Sequence, residues 1–140
     1  MNAYRRYQQT QPDTGWTRMD LLLALYDKAL EHLDRAEAAL GAGDTSGAVG
    51  RLSKAQTVIM ALADGVRVEV NPEVNTNILR LYEFAVTTLS QPSVANVASV
   101  RKILRTLREG FEAVRVEANE MERSGRVAAM QNGQILSATA

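Results

Sequence analysis

His32 is the single histidine of the chain, and it is where chemistry would have to start. A histidine displayed on a helix can carry a phosphoryl group, and phosphorelay bundles follow it with Lys at +3 and Gly at +4. Here Arg35 and Ala36 hold those places, with Glu31 and Asp34 alongside. Arg35 would attract a phosphate, but the two carboxylates repel one. The spacing therefore predicts a solvated histidine on a helix surface, not a phosphotransfer centre. A di-iron bundle needs Glu-x-x-His on two helices, which one histidine cannot supply. No Ser/His/Asp set and no Gly-rich phosphate loop after a strand can be read. With no cysteine, disulfides and thiolate metal sites are excluded as well. The sequence is thus expected to hold no metal and no cofactor, and not to be an enzyme.

A second candidate is the basic series Arg101, Lys102, Arg105 and Arg108, which shares one stretch with Glu109 and Glu112. RNA binding would want aromatic side chains interleaved with these cations, and none are there. A solvated helix face is the expectation. The chain carries 16 basic and 16 acidic residues, so no net charge draws it to nucleic acid or an anionic membrane. No apolar run reaches the roughly 18 residues of a membrane span, nor the roughly 7–15 of a signal-peptide core. Neither nucleic acid nor membrane insertion is expected, and the cytoplasm is the default compartment.

The elements that must position any site read as helices. Alanine is abundant beside Leu, Glu, Arg and Lys, a helix-favouring mixture, and no strand-like alternation appears. Thr17-Arg18-Met19-Asp20 has the form of a capping box. Leu22, Tyr26, Ala29, Leu33, Ala36 and Leu40 then mark an apolar stripe ending at Gly41-Ala42-Gly43. Asp44 can cap a second helix with Val49, Leu52, Ala55, Ile59, Leu62 and Val66 on one face. Asn71-Pro72 opens a third, with Val74, Ile78, Leu81, Ala85 and Leu89 as its stripe and Tyr82 beside it. Past Pro92, Ser93 or Asn96 can cap a fourth that carries Val97, Val100, Leu104, Leu107, Phe111, Val114 and Ala118. Short connections make neighbours antiparallel. The expected fold is all-α: an up-down-up-down four-helix bundle over 17–123, with a flexible arm at 1–16 and a tail at 124–140.

Several segments resemble the flagellin export chaperone family, in the family's order. Leu21-Leu22-Leu23-Ala24-Leu25-Tyr26-Asp27 is similar to its first-helix signature of leucines, an aromatic and an aspartate. Lys54-Ala55-Gln56-Thr57-Val58-Ile59 resembles its Lys-Ala-x-x-x-Ile pattern. Asn77-Ile78, then Leu81-Tyr82 and Phe84, resemble its third-helix run of Asn, an apolar residue, Leu-Tyr and a second aromatic. Tyr7-Gln8-Gln9 matches the arm. The resemblance spans residues 4 to 115; Lys28 stands where the family usually has Gly, and Phe111 where Trp is common.

The resemblance implies a chaperone that holds the C-terminal segment of flagellin, disordered before assembly and apolar along one face when helical. Holding it would prevent premature polymerisation and keep flagellin fit for export, with the flagellar export apparatus as a further partner. A monomer or weak dimer is expected. Recognition would be helix-in-groove with ordering on binding. The candidate partner-binding residues are Leu52, Ala55, Gln56, Ile59, Asn77, Ile78, Leu81 and Tyr82, of which Gln56 and Asn77 could bond a partner's backbone. An empty groove invites a cover, and Tyr4 and Tyr7 of the arm are the expected one. Val127, Met130, Ile135 and Leu136 of the tail are the rival. The alternative function is another helical-bundle adaptor or regulator, with a histidine phosphotransfer domain using His32 as its enzyme-adjacent variant.

Overall fold

The computed structural model describes residues 15–125, so Tyr4, Tyr7 and nearly all of the expected arm and tail lie outside the described residues. Within that range the chain forms five helices and no strand. They are α1 (Arg18–Gly41), α2 (Thr45–Asp64), α3 (Pro72–Thr88), α4 (Val94–Ala113) and α5 (Arg115–Arg123).

Each of the first four begins at a residue built to start a helix. Thr17 Oγ1 accepts from the Asp20 amide while the Thr17 amide donates to Asp20 Oδ2, closing the capping box at 3.1 and 3.2 Å. Asp44 accepts from the Gly47 amide, Asn71 from that of Val74, and Ser93 from that of Asn96. Ser93 is therefore the cap of α4. Asn96 instead donates to the carbonyls of Thr88 and Gln91, which fastens the α3–α4 turn. Gly43 takes a φ of +76°, the left-handed conformation that turns the chain from α1 into α2 at little cost to glycine.

Cross-helix partners give the direction of packing. Asp20, Asp27 and Asp34 on α1 meet Arg115, Arg108 and Arg101, so α1 runs antiparallel to α4 and α5. Gln56 of α2 reaches Val86 and Ser90 at the far end of α3. The helices pack in the cycle α1–α2–α3–α4–α1, with the most extensive contact between α1 and α2 and a much thinner one between α3 and α4. The expected bundle forms, with one change. The expected fourth helix is interrupted at Val114 (φ −106°, ψ 8°), and its end becomes the separate α5, folded against the start of α1. Thr17 donates to Asn119 there, and Arg18 faces Glu122 across a buried ion pair of 3.5 Å.

The core is aliphatic around an aromatic centre. Leu22, Leu33, Ala55, Ile59, Leu62, Val97, Val100 and Leu104 have at most 2% exposure. Tyr26 packs on Tyr82 and Phe111, with ring centroids 6.4 and 5.9 Å apart. The Tyr26 and Tyr82 hydroxyls bond each other, so each buried polar tip has a partner. Burial pushes both phenols well above their ordinary pKa, Tyr26 also through the nearness of Tyr82.

Three expectations are corrected. At the start of α2 the buried residue is Ala48, while Val49, expected on the inward stripe, is 47% exposed. His32 is buried, at 6% exposure, because it faces the α1–α2 seam rather than solvent. The buried stripe of α3 is Asn75, Tyr82, Ala85 and Leu89 with Ile78 half-buried, so Val74 and Leu81 are left exposed.

Candidate functional site

The third helix carries two apolar series offset by one residue. Asn75, Ile78, Tyr82, Ala85 and Leu89 follow steps of three and four and turn inward. Val74, Asn77, Leu81, Phe84 and Thr88 follow the same steps about 100° around the helix. The inward series is complete without the second. Asn75, although polar, is satisfied by donating to the Arg67 carbonyl at 2.8 Å, which pins the α2–α3 connection. The outer series has no such closure. Val74 is 47% exposed, Leu81 36% and Phe84 54%, and Asn77 is exposed between them.

This face adjoins the seam that α3 shares with α4, which is held mainly at the Thr88–Asn96 end. Toward the other end of the bundle Ile103 and Leu107 stay half-exposed on α4, and Val114 is 41% exposed at the α4–α5 junction. Exposed or half-exposed apolar side chains thus stand on both α3 and the latter part of α4. Contiguous apolar surface on a small domain marks an interaction site more often than chance exposure does.

The eight residues singled out from sequence separate into three groups. Leu52, Ala55, Ile59 and Tyr82 lie in the closed core. Gln56 is half-buried on the α2–α3 seam, where its Nε2 donates to the Val86 carbonyl at 2.8 Å and to Ser90 Oγ at 3.3 Å. Val86 stands in the last turn of α3, where carbonyls lack helical partners, so Gln56 acts as a cap supplied by a neighbouring helix. Asn77, Ile78 and Leu81 lie together on α3, the first and last exposed. Sequence reasoning missed Phe84 and Val74 as surface residues. The available signal was an excess: α3 has more apolar positions than one inward stripe can use.

The basic series on α4 divides in the same way. Arg101 reaches Asp34 and Glu37, and Arg108 reaches Asp27, while Lys102 and Arg105 are exposed. A phosphotransfer histidine must be open to its donor. His32 is closed off, with its Nδ1 buried and without a hydrogen-bond partner. Among the described residues no group of three or more His, Asp or Glu is placed to hold a metal ion. No described helix is long and apolar enough to cross a membrane.

A helical bundle whose apolar surface extends beyond its own core defines a protein-binding scaffold. The family comparison specifies which kind. The family described as flagellar protein FliS matches residues 1–118, which takes in α1 through α4 entire, and the chain belongs to that family, the flagellin export chaperones. Neither the curated proteins nor the solved structures contain a match. Membership carries a role in flagellar export as a chaperone.

Proposed function

We propose that the chain acts in the cytoplasm, binds the C-terminal segment of flagellin through the outer face of α3, and so prevents premature polymerisation before export. The observation that carries the reading is the second apolar series of α3, Val74, Leu81 and Phe84 around Asn77, left over once the core is filled. A cargo helix laid along it gains burial from the three apolar side chains. Asn77 sits where its amide can bond a backbone group that the cargo helix leaves unpaired. Ile78 forms the half-buried floor, and Tyr82, Leu52, Ala55 and Ile59 support that floor from within.

The face on α3 is small compared with what coupled folding requires. Ordering a disordered partner costs about 2–5 kcal/mol and is offset by burial of roughly 1,000–3,000 Å². The cargo therefore continues past α3, and the apolar strip toward Ile103, Leu107 and Val114 gives it a second run. The loaded complex is what meets the export apparatus. Titration calorimetry of the whole chain with a flagellin C-terminal peptide tests the proposal directly. Saturable binding with a negative heat-capacity change is expected, and absence of binding at high peptide concentration overturns it.

A further inference from the structure

The two long seams of α1 differ in their electrostatics. Toward α4 and α5 its rim presents Asp20, Asp27 and Asp34, each met by an arginine from the other side. Toward α2 the rim presents Lys28 and Arg35, four residues before and three after His32 and so on its side of the helix. From α2 come Arg51 and Lys54, the only charged residues between Asp44 and Asp64. Lys28, Arg51 and Lys54 all stand near enough to the His32 ring to act on its charge. Lys28, Arg35 and Lys54 are exposed, and Arg51 is half-buried.

Like charges therefore face each other across the α1–α2 seam, and like charges repel. One carboxylate stands among the four cations. Glu31 bonds Lys28 at 3.2 Å and Arg35 at 2.9 Å, and its pKa is lowered first by the hydrogen bond from Lys28. Its charge is thus already engaged. Among the described residues, Arg51 and Lys54 have no ion-pair partner. Beneath these cations His32 Nδ1 is buried, and no hydrogen bond reaches it. The fold supplies arginines for the acids on one rim of α1 and no acids for the cations on the other.

We propose that the α1–α2 seam over His32 binds an acidic segment of a partner protein, whose carboxylates neutralise Arg51, Lys54 and Lys28. The spread of charge suits a chain rather than one small ion. Lys28 and Arg35 are roughly 10 Å apart along α1, and Arg51 and Lys54 about 4.5 Å apart along α2. Glu31 in their midst disfavours a phosphate backbone, whose charge repeats without a gap. A peptide can set an uncharged residue or a backbone N–H opposite Glu31 instead. No Phe, Tyr or Trp occurs from Lys28 to Lys54, so a nucleic-acid base would find nothing to stack on. The seam shares no residue with the outer face of α3, which leaves that face free while the acidic segment is held.

A hexaglutamate peptide is the probe. With the whole chain in low salt, calorimetry should show saturable binding that weakens as salt is added. The chain has one histidine, so its ring signals in a proton NMR spectrum report on the seam alone. Bound carboxylates offset the cations, so the His32 titration midpoint should move to higher pH. Arg51→Glu and Lys54→Glu should each weaken binding at least about tenfold. Each also sets opposite charges across the seam, so neither should lower the melting temperature, which separates lost binding from lost fold. Lys102→Glu, on the exposed side of α4, should bind as the parent does.

Absence of saturable binding, an unmoved His32 signal or an equal loss in Lys102→Glu overturns the proposal. Tighter binding of inorganic phosphate, of a single-stranded oligonucleotide or of anionic vesicles than of hexaglutamate overturns it in favour of that ligand. None of these outcomes depends on whether flagellin peptides bind the α3 face.

Discussion

Arg108 holds Asp27 through two bonds at once, Nε to Oδ1 at 2.7 Å and Nη2 to Oδ2 at 3.2 Å. The pair lies midway in a series. Asp20, Asp27 and Asp34 recur every seven residues on α1, and Arg115, Arg108 and Arg101 recur every seven on α4 and α5. A bidentate contact raises the Arg108 pKa above its ordinary value, chiefly through the hydrogen bonds to Asp27. Asp27 is 59% exposed, so screening by water keeps the energy small. Arg108→Ala should cost about 0.2–1 kcal/mol in low salt, and less at 1 M salt. Urea unfolding at two ionic strengths measures it. A loss beyond about 2 kcal/mol would mean that the pair does more than rest on the surface.

The two core tyrosines allow a sharper test. Tyr82→Phe removes one hydroxyl and leaves the Tyr26 hydroxyl buried without its partner, which costs about 1–3 kcal/mol. Tyr26→Phe should do the same. The double variant keeps both rings and strands neither hydroxyl, so its loss should be smaller than the sum of the two single losses. Denaturation of all four proteins closes the cycle, and simple additivity would show that the hydroxyls act independently.

His32 gives a prediction in pH. Burial first, then the neighbouring cations Lys28, Arg51 and Lys54, lower its pKa from 6.5, with Glu31 acting in the opposite sense. An unfolded chain protonates near 6.5 while the folded chain stays neutral. As pH falls below 6.5 the unfolded state therefore takes up the proton first, and stability declines until the folded imidazole titrates. At higher pH both states are neutral and the residue makes no difference. His32→Leu should remove this component, so that its stability relative to the parent improves only on the acid side. Parallel curves from about pH 8 to 5 would exclude it.

On the proposed cargo face, Leu81→Asp and Asn77→Arg should each weaken binding of a flagellin C-terminal peptide by at least about 1 kcal/mol. Truncating or charging an interface centre does this, while exposed substitutions leave stability within about 0.5 kcal/mol. Calorimetry paired with thermal melts separates the two effects, and unchanged affinity for both variants would clear α3 of the role.

Gln56 should behave in the opposite way. Gln56→Ala leaves the Val86 carbonyl only the longer bond from Ser90 Oγ at 3.4 Å and should lower stability by about 0.5–1.5 kcal/mol. Peptide affinity, measured below the melting range, should change little. A stable variant with lost affinity would return Gln56 to the partner's side.

Local signals were the most legible part of the sequence. Thr17, Asp44, Asn71-Pro72 and Ser93 cap the helices as expected because a cap needs only its own next three residues. The break at Val114 has no glycine or proline to announce it; α5 turns because Asn119 and Glu122 find Thr17 and Arg18, partners about a hundred residues away. On α3, period alone does not say which of two offset series faces the core. Tyr82 decides it, since its ring and hydroxyl are both accommodated only beside Tyr26. The expected stripe joins Val74 and Leu81 of the outer series to Ile78, Ala85 and Leu89 of the inward one, and it ignores that neighbour. His32 is misread for a related reason: its flanking charges describe the helix rim, while its own position falls on the seam with α2.

The nearness of Arg123 to the Gly15 carbonyl has a topological consequence. The described chain is almost a closed ring, its two ends bridged by the length of the Arg123 side chain. Such a ring has no obligatory first helix. A short linker from Arg123 to Gly15, with new termini opened in the Gly41–Asp44 turn, should therefore yield a permuted protein with the same packing. In that protein the end that holds α5 and the start of α1 would carry no chain terminus at all, and the opposite end would carry both.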